Sequence, residues 1–166
     1  HYIAFIDSDD LWKKNKLTLQ INFTQKNNYF FTYTNYKTFK INKLKKNTII
    51  LPNKFNFNSF VKNTSISTST MIVKRSVANR IKFSNTKICE DYFYKCQLLK
   101  KIGNAYCYPI CLTEYQIRRD SLQSNRIRNL YWIWKINKSL NHFNILKNLI
   151  SILFISFNSL KKYGFR

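Results

Sequence analysis

Carboxylate side chains are scarce in this sequence of 166 residues, which contains 7 Asp and Glu against 29 Lys and Arg. Glycine and proline are scarce as well, with 2 of each. Because Gly/Ser-rich and Pro-rich stretches are the usual linkers between domains, their lack excludes a chain divided in two by a flexible linker. No apolar run approaches the roughly 20 residues that a membrane-spanning helix requires.

The charge and the hydrophobic content describe a basic globular protein. Hydrophobic residues make up 45% of the chain, which excludes disorder as a description of the whole. The formal net charge of +22 is typical of proteins that bind nucleic acid, anionic lipid or phosphorylated ligands. The alternative is a bias of the genome, because AT-rich coding sequence enriches Lys, Asn, Ile, Phe and Tyr without selection for binding.

The cysteines do not indicate a metal site or a disulfide framework. None of them forms a C-x-x-C pair, and their spacing matches no familiar zinc module. We therefore predict reduced, apolar side chains in a cytoplasmic protein for Cys89, Cys96, Cys107 and Cys111.

Most of the rare carboxylates are crowded into two clusters. Five of the seven are Asp7, Asp9 and Asp10 near the start of the chain and the pair Glu90 and Asp91 further on. Crowding like charges is unfavourable unless a cation or a proton-transfer task uses them. The two clusters are therefore the first candidates for a functional site.

The first cluster follows an apolar run, Tyr2 to Ile6, which predicts a buried strand. Ligands of open α/β sheets bind at the carboxyl ends of such strands. Apolar residues then recur at helical spacing from Leu11 to Lys26, so that Asp9 or Asp10 would cap the first turn of a helix. The predicted unit is a strand, an acidic turn and a helix.

The second cluster begins an apolar pattern of helical spacing that ends at Gly103, a favourable helix terminator. Glu90 and Asp91 would lie at the helix amino terminus, where the dipole and free N–H groups favour the ionised carboxylate. The alternative interpretation is that both are ordinary acidic residues of a first helical turn.

The rest of the chain predicts a mixed α/β protein with a helical tail. From Asn125 onward no acidic residue occurs and apolar positions predict one or two amphipathic helices. A short helical turn is predicted at Ser59 to Val61. Strands are predicted at Tyr29 to Tyr36, Thr48 to Leu51, Met71 to Val73, Ala105 to Tyr108 and, after Pro109, Ile110 to Ile117.

The string YIAFIDSDDLW, Tyr2 to Trp12, resembles the metal-binding segment of the family-two glycosyltransferases, which have the GT-A fold. Three further features follow in the order of that family: the hydroxyl-rich run Ser67 to Lys74, the Glu90–Asp91 pair, and the segment Tyr115 to Asn125. The resemblance implies a GT-A-like mixed sheet flanked by helices. It also implies that the first nucleotide-binding βα units are missing before His1.

Two parts of the chain follow from this resemblance. Residues 1–125 would be the carboxyl-terminal part of a GT-A domain, and residues 126–166 a basic amphipathic helical tail. The Q-x-x-R-W box of processive polysaccharide synthases is absent, because Asp120 follows Arg119 where that box has Trp. A non-processive transferase is therefore expected.

The resemblance also implies the roles of the site residues. Asp9 and Asp7 would bind Mn²⁺ or Mg²⁺, which takes oxygen ligands from one or two carboxylates and from substrate phosphates. Asp91 matches the base that removes a proton from the acceptor hydroxyl. Substrate contacts are expected for Asp10, Trp12, Glu90, Arg118, Arg119 and Ser121; guanidinium groups pair well with phosphate oxygens.

The predicted function is metal-dependent transfer of a sugar, with inversion, from a nucleotide-diphosphate-sugar to a cell-surface polysaccharide or lipid-linked acceptor. The tail from Tyr131 to Arg166 would either dock peripherally on the anionic inner face of the membrane or pack on the catalytic domain. No nucleic-acid partner is expected.

Two rival functions remain at this point. A nucleic-acid-binding module explains the charge and the aromatic residues but leaves the crowded carboxylates unexplained. A metal-dependent nuclease that gathers Asp7, Asp9, Glu90 and Asp91 around Mg²⁺ explains the charge and the acids. It does not explain the sequence DSDDLW.

Overall fold

The protein is described by a computed structural model over residues 1–40, 43–118 and 125–163. Within these ranges seven strands form one mixed sheet in the order β1-β6-β3-β7-β2, with β4 paired to β3 and β5 paired to β7. β3 and β7 run parallel and the other pairs are antiparallel. The strands are β1 Tyr2–Ala4, β2 Leu11–Trp12, β3 Phe31–Lys40, β4 Lys43–Ile49, β5 Lys54–Asn56, β6 Ile72–Lys74 and β7 Asn104–Gln116.

Helices cover the sheet, as the predicted α/β class requires. They are α1 Lys16–Lys26, α2 Phe57–Phe60, α3 Arg75–Ala78, α4 Glu90–Ile102, α5 Arg126–Ser139 and α6 Ile145–Tyr163. The core lies where α4 packs on the central strands, and Phe31, Met71, Leu98 and Leu99 are almost completely buried there. Burying such a side chain contributes about 1.5 to 3 kcal/mol.

The predicted helix start at Leu11 is wrong. Leu11 and Trp12 form the short strand β2, paired with Glu114 and Thr113 of β7, and the helix begins at Lys16. Pairing with a neighbouring strand has overridden the helical periodicity of the sequence. Asp9 and Asp10 consequently precede a strand, so the alternative that they cap the next helix is excluded.

The predicted break at Pro109 is also wrong, because β7 runs through it. The register against β3 shifts between Thr34, opposite Tyr108, and Asn35, opposite Cys111. Pro109 and Ile110 therefore form the extra residues of a bulge. A proline, which has no N–H to donate, is tolerated in a strand at such a place.

The hydroxyl-rich run divides into two elements. Its apolar end forms β6, close to the predicted strand, whereas Thr68–Thr70 form a 3₁₀ turn. Ser69 and Thr70 are completely buried. This 3₁₀ turn separates the acidic turn from the start of α4, which places it at the centre of the candidate site.

The two tail helices are present as predicted and dock on the sheet region through polar contacts. The Tyr92 hydroxyl of α4 donates to Asn137 Oδ1 of α5 at 2.7 Å. Ser151 Oγ of α6 donates to the Val61 carbonyl at 2.6 Å. The division of the chain at residues 125 and 126 stays a prediction. Among the described residues, no helix is both long and apolar enough to traverse a bilayer.

Candidate active site

The acidic turn follows β1 and closes on itself. The Asp10 N–H donates to the Asp7 carbonyl at 3.1 Å, and the Asp7 N–H donates to Ser69 Oγ at 2.9 Å. The Asp7 side chain is exposed, and that of Asp9 is one-third exposed. Asp7 and Asp9 are therefore the two carboxylates of the turn that remain accessible to a ligand.

Asp10 points into the protein instead. It is 5% exposed, and its Oδ1 accepts a hydrogen bond from the Gln116 N–H at the end of β7, at 2.9 Å. Its Oδ2 is buried and has no hydrogen-bond partner in the part of the chain that the structure describes. The hydrogen bond to Gln116 ties the turn to β7. The buried position of Asp10 therefore favours a structural role over the substrate contact that the sequence predicts.

Burial raises the pKa of Asp10 to about 6; the Ser69 hydroxyl and the Gln116 N–H oppose the rise, and the neighbouring Asp7 and Asp9 carboxylates add to it. The pKa of Asp7 is also raised, first by partial burial and then by Asp91 and Asp9, although Lys95 opposes the shift. The turn therefore gathers carboxylates that repel one another, and Arg118 beside Asp9 offsets part of that repulsion.

A connected row of side chains from β2 and α1 contacts the 3₁₀ turn that holds the acidic turn in place. Trp12 Nε1 donates to the Ser69 carbonyl at 2.7 Å, and the Lys16 ammonium lies 4.3 Å from the centroid of the Trp12 ring. Lys16 Nζ also donates to Gln20 Oε1 at 3.0 Å, and Gln20 Nε2 donates to the Thr70 carbonyl at 3.0 Å. Trp12, placed among the substrate contacts by the resemblance, thus has a positioning contact in the structure.

Asp91 lies in the first turn of α4, as predicted. Cys89, with a left-handed φ of 62°, turns the chain sharply just before the helix begins at Glu90. Asp91 Oδ2 accepts hydrogen bonds from Lys95 Nζ at 2.8 Å and from Thr68 Oγ1 at 3.1 Å. Lys95 Nζ also donates to Thr68 Oγ1 at 3.0 Å, which closes a triangle of three side chains.

Burial alone would raise the pKa of Asp91, but the Lys95 ammonium and the hydrogen bonds from Lys95 and Thr68 hold it below the usual value. The Asp91 side chain is 26% exposed and that of Lys95 is 4% exposed. Asp91 is thus kept ionised at neutral pH while part of the carboxylate remains accessible.

The 3₁₀ turn joins the two acidic clusters. Its Thr68 side chain binds Asp91, and the next residue, Ser69, binds the Asp7 N–H and the Trp12 indole through its side chain and its carbonyl. Two consecutive residues therefore fix the acidic turn relative to α4. The two carboxylate clusters, 80 residues apart in the chain, form one site.

That site opens into a cleft of about 560 Å³ lined by Asp7, Thr68, Asp91 and Lys95, with Arg118 at its edge and the helices α5 and α6 on the far side. A second cavity of about 480 Å³ is lined by Asp7, Thr68, Asp91 and Glu90. Because Asp7, Thr68 and Asp91 border both spaces, the site has room for ligands on two sides.

The remaining predicted contacts are placed as follows. Arg118 is exposed, with Nη1 4.0 Å from Asp9 Oδ2. Glu90 is exposed at the helix start. Arg119 and Ser121 lie outside the described residues, so their assignment stays a prediction.

Asp7, Asp9, Glu90 and Asp91 are not gathered into an all-protein metal site. Within the described ranges no group of three or more His, Cys, Asp or Glu side chains is arranged to hold a metal ion. This argues against the four-carboxylate nuclease. Two accessible carboxylates fit Mg²⁺ or Mn²⁺ only where substrate phosphates and water complete the oxygen ligands.

Sequence reasoning missed Lys95, Thr68 and Ser69. Lys95 was detectable, since a Lys four residues after an Asp on a helix is a standard ion pair. Thr68 and Ser69 lay in a run recognised only as a whole, and nothing in the sequence distinguishes them from the other hydroxyls between Ser65 and Thr70.

Comparisons with known proteins show the family resemblance and the fold of the chain. No family model matches the chain. Over 97% of its length the chain is 28% identical to the putative teichuronic acid biosynthesis glycosyltransferase TuaG of Bacillus subtilis, and it covers 64% of that protein. Over 81% of its length it is 34% identical to the UDP-Glc:alpha-D-GlcNAc-diphosphoundecaprenol beta-1,3-glucosyltransferase WfgD of Escherichia coli, of which it covers 53%. The chain thus spans between about half and two-thirds of these relatives.

Among solved structures, TarS 1-349 of S. aureus in complex with UDP-GlcNAc is similar to 99% of the chain, with a TM-score of 0.63 and 13% identity; the chain covers 49% of it. At that identity the likeness shows the fold alone. The predicted resemblance to glycosyltransferases and the predicted fold class are confirmed. The chain is related to bacterial glycosyltransferases and has the mixed, GT-A-like α/β fold of TarS.

Proposed function

We propose that this relative of bacterial glycosyltransferases carries the metal-binding and catalytic carboxylates of an inverting, metal-dependent sugar transferase. The main support is that Thr68 and Ser69 link the acidic turn directly to Asp91, on the wall of one cleft. A turn with accessible Asp7 and Asp9 and an ionised Asp91 beside it supplies the two kinds of carboxylate that such a reaction needs.

The donor is a nucleotide-diphosphate-sugar. Asp7 and Asp9 would hold Mn²⁺ or Mg²⁺ against its diphosphate, and the cation, when bound, neutralises the charge that develops on the leaving group. Arg118 lies 4.0 Å from Asp9 and is a further candidate for a phosphate contact. The raised pKa values of Asp7 and Asp10 in the acidic turn support a cation there.

Asp91 acts as the base in this proposal. The acceptor oxygen attacks the anomeric carbon, the bond from that carbon to the phosphate oxygen breaks, and the bonding electrons leave with the diphosphate. The acceptor proton passes to Asp91. Because Oδ2 already accepts hydrogen bonds from Lys95 and Thr68, Oδ1 is the oxygen that we assign to the proton.

Although burial opposes it, the Lys95 ammonium holds the pKa of Asp91 below its usual value, which keeps this carboxylate weakly basic. A weakly basic carboxylate does not deprotonate a free sugar hydroxyl, whose acidity is low. It accepts the proton once the hydroxyl oxygen has begun to bond to carbon and has become acidic. Asp91 is therefore suited to a late proton transfer and is always ready for it at neutral pH.

The acceptor class follows from the relatives and is part of the proposal. WfgD is named for transfer from UDP-Glc to a diphosphoundecaprenol-linked sugar, TuaG for teichuronic acid biosynthesis, and TarS was solved with UDP-GlcNAc. A UDP-sugar donor and a saccharide or lipid-linked acceptor are accordingly proposed for the protein that contains this chain.

The test measures UDP release from UDP-glucose and UDP-GlcNAc by the full-length protein, with Mn²⁺, with Mg²⁺ and with EDTA. Asp9→Ala is expected to abolish the metal-dependent release, and Asp91→Asn to abolish transfer to an acceptor. Glu114→Gln, a change of a carboxylate on β7 outside both acidic clusters, is the matched control. Metal-dependent release that Asp9→Ala leaves unchanged, or acceptor transfer that Asp91→Asn leaves unchanged, would contradict the proposed site.

A further inference from the structure

Helix α6 exposes a row of large apolar side chains. Its exposed side includes Leu146, Leu149, Leu153, Phe154 and Phe157, which are between 46% and 68% exposed. These positions are three or four residues apart, or adjacent, so they form one stripe along the helix. We call this stripe, together with Ile145 at its start, the apolar face of α6.

The side of α6 that faces the protein combines apolar and polar contacts. Ile155 is 6% exposed and belongs to the hydrophobic core. Asn148 Nδ2 donates to the Trp134 carbonyl at 3.0 Å, Ser151 Oγ donates to the Val61 carbonyl at 2.6 Å, and Asn158 Nδ2 donates to the Lys62 carbonyl at 3.0 Å. Together these contacts hold the helix with its apolar face exposed.

An exposed apolar stripe of this size normally marks a surface that is covered by something else. Its surroundings are cationic. Lys62 Nζ lies 5.4 Å from the Phe154 ring centroid at the edge of the face, Lys147 and Lys161 are exposed on the same helix, and no Asp or Glu follows Asp120 in the sequence. A strongly anionic surface with an apolar layer below it complements this combination.

The position of α6 relative to the cleft points the same way. Ile155, Ser156 and Leu160 of α6 line the cleft that contains Asp7 and Asp91. Leu160 lies one turn beyond Phe157, so the carboxyl-terminal end of the apolar face borders the cleft. A membrane against that face would therefore lie beside the cleft.

We propose that the apolar face of α6 inserts into the headgroup region of an anionic bilayer and holds the cleft beside the membrane surface. α6 lies in the plane of the membrane, with its leucines and phenylalanines among the acyl chains and its lysines at the phosphates. The value of this orientation for a lipid-linked acceptor rests on the proposed function; the docking itself does not.

The test is co-sedimentation of the full-length protein with vesicles of phosphatidylglycerol and phosphatidylethanolamine, compared with phosphatidylcholine vesicles, without any nucleotide-sugar. Leu153→Gln and Ile50→Gln form a matched pair, since the two side chains are 68% and 71% exposed and only Leu153 belongs to the apolar face. We expect Leu153→Gln to lower the partition coefficient about tenfold, from the lost burial of one leucine, and Ile50→Gln to leave it unchanged.

High salt separates the apolar contribution from the general attraction of a chain with a net charge of +22. At 1 M ionic strength the Debye length is about 3 Å, so binding through scattered surface lysines is largely screened. The wild type is expected to retain weak binding there that Leu153→Gln lacks. Equal binding of the two proteins at both salt concentrations would overturn the proposal.

A second copy of the chain is the other occupant that the experiment detects. Sedimentation velocity without lipid that shows a dimer in the wild type and a monomer in Leu153→Gln would assign the face to self-association and overturn membrane docking. Asp9→Ala is expected to bind vesicles like the wild type. Failure of sugar transfer therefore leaves the docking result standing, and failure of docking leaves the transfer assay standing.

Discussion

The two carboxylate clusters of the site have opposite electrostatic surroundings. In the acidic turn, burial and like charges raise the pKa of Asp10 to about 6 and raise that of Asp7 as well. At the start of α4, burial acts on Asp91 in the same direction, but the Lys95 ammonium at 2.8 Å outweighs it and the pKa is lowered.

This difference teaches what each cluster lacks. A carboxylate that the protein itself pairs with a cation is stable as it stands and needs no ligand to remain ionised. Carboxylates that repel one another, with a buried Asp10 Oδ2 that has no hydrogen-bond partner in the described residues, would be relieved by an external cation. Under the proposed function a metal would complete the acidic turn, whereas Asp91 on α4 already has Lys95 as its cation.

The largest effect is expected for Asp91→Asn. The amide keeps the shape and can still accept from Thr68, but it cannot take the acceptor proton, so transfer should fall by about 10³-fold, within the range known for general bases. Initial rates of sugar transfer measure this. Metal-dependent UDP release without acceptor should survive. Loss of both reactions, with an unchanged melting temperature, would indicate that Asp91 contributes to metal binding and not only to proton removal.

Replacing Lys95, the cation of the ion pair, removes the main difference in electrostatic surroundings between the two clusters. Lys95→Met leaves a partly buried Asp91 without its cation, which should lower the free energy of unfolding at pH 7 by about 3 kcal/mol. Asp91 stabilises the wild type above the unfolded pKa of about 4, and that stabilisation is lost as the pH falls through the lowered folded value.

The stability gap between wild type and Lys95→Met should therefore be widest at neutral pH and shrink below about pH 4, as measured by urea unfolding across the pH range. Lys101→Met, on the same helix and equally charged, is the control and should show no such gap. A gap that is constant with pH would indicate lost packing and not a lost ion pair.

Sequence reasoning found the local elements of this site better than their connections. The helix from Glu90 to Ile102 and its stop at Gly103 follow from periodicity and a terminator residue, and the structure confirms them. A strand precedes the acidic turn as predicted, but Tyr2–Ala4 is half-buried at the end of the sheet order and not a buried strand. The helix start was misplaced because Leu11 and Trp12 pair with β7, more than 100 residues away in the chain. Such pairing leaves no local trace.

The opposed pKa values also depend on contacts that no local pattern encodes. Asp10 differs from its neighbours in the turn only because Gln116, at the end of a distant strand, draws it inward. Helix α6 shows the same limit, since its apolar positions predict a helix face but not which apolar residues pack inward. Ile155 joins the core, whereas Leu153 and Phe157 are exposed.

Asp10→Asn tests whether the buried Asp10 carboxylate destabilises the acidic turn. Asp10→Asn keeps an oxygen that can accept from the Gln116 N–H. Since the folded pKa, about 6, lies above the unfolded value, the folded wild type holds a proton that the unfolded chain releases, and stability falls as the pH rises between about 4 and 6.

Asp10→Asn lacks that titration, so its free energy of unfolding should rise relative to the wild type by about 2 kcal/mol between pH 4 and pH 7. Urea unfolding at the two pH values, without divalent cations, measures the change. Glu114→Gln is the control for loss of a carboxylate elsewhere. An Asp10→Asn variant that tracks the wild type at both pH values would show that the turn is not strained.

Ligand-induced stabilisation gives the smallest effect and the sharpest separation of the two clusters. Mn²⁺ with UDP at ten times the dissociation constant should stabilise the folded protein by about 1.4 kcal/mol, a shift of a few degrees in the melting temperature. Asp9→Asn should abolish the shift because it removes an accessible ligand from the turn, whereas Asp91→Asn should retain it because Asp91 already has its cation in Lys95. If both variants lose the shift equally, the metal interacts with the two clusters together, and the division between a turn completed by metal and a helix completed by lysine does not hold.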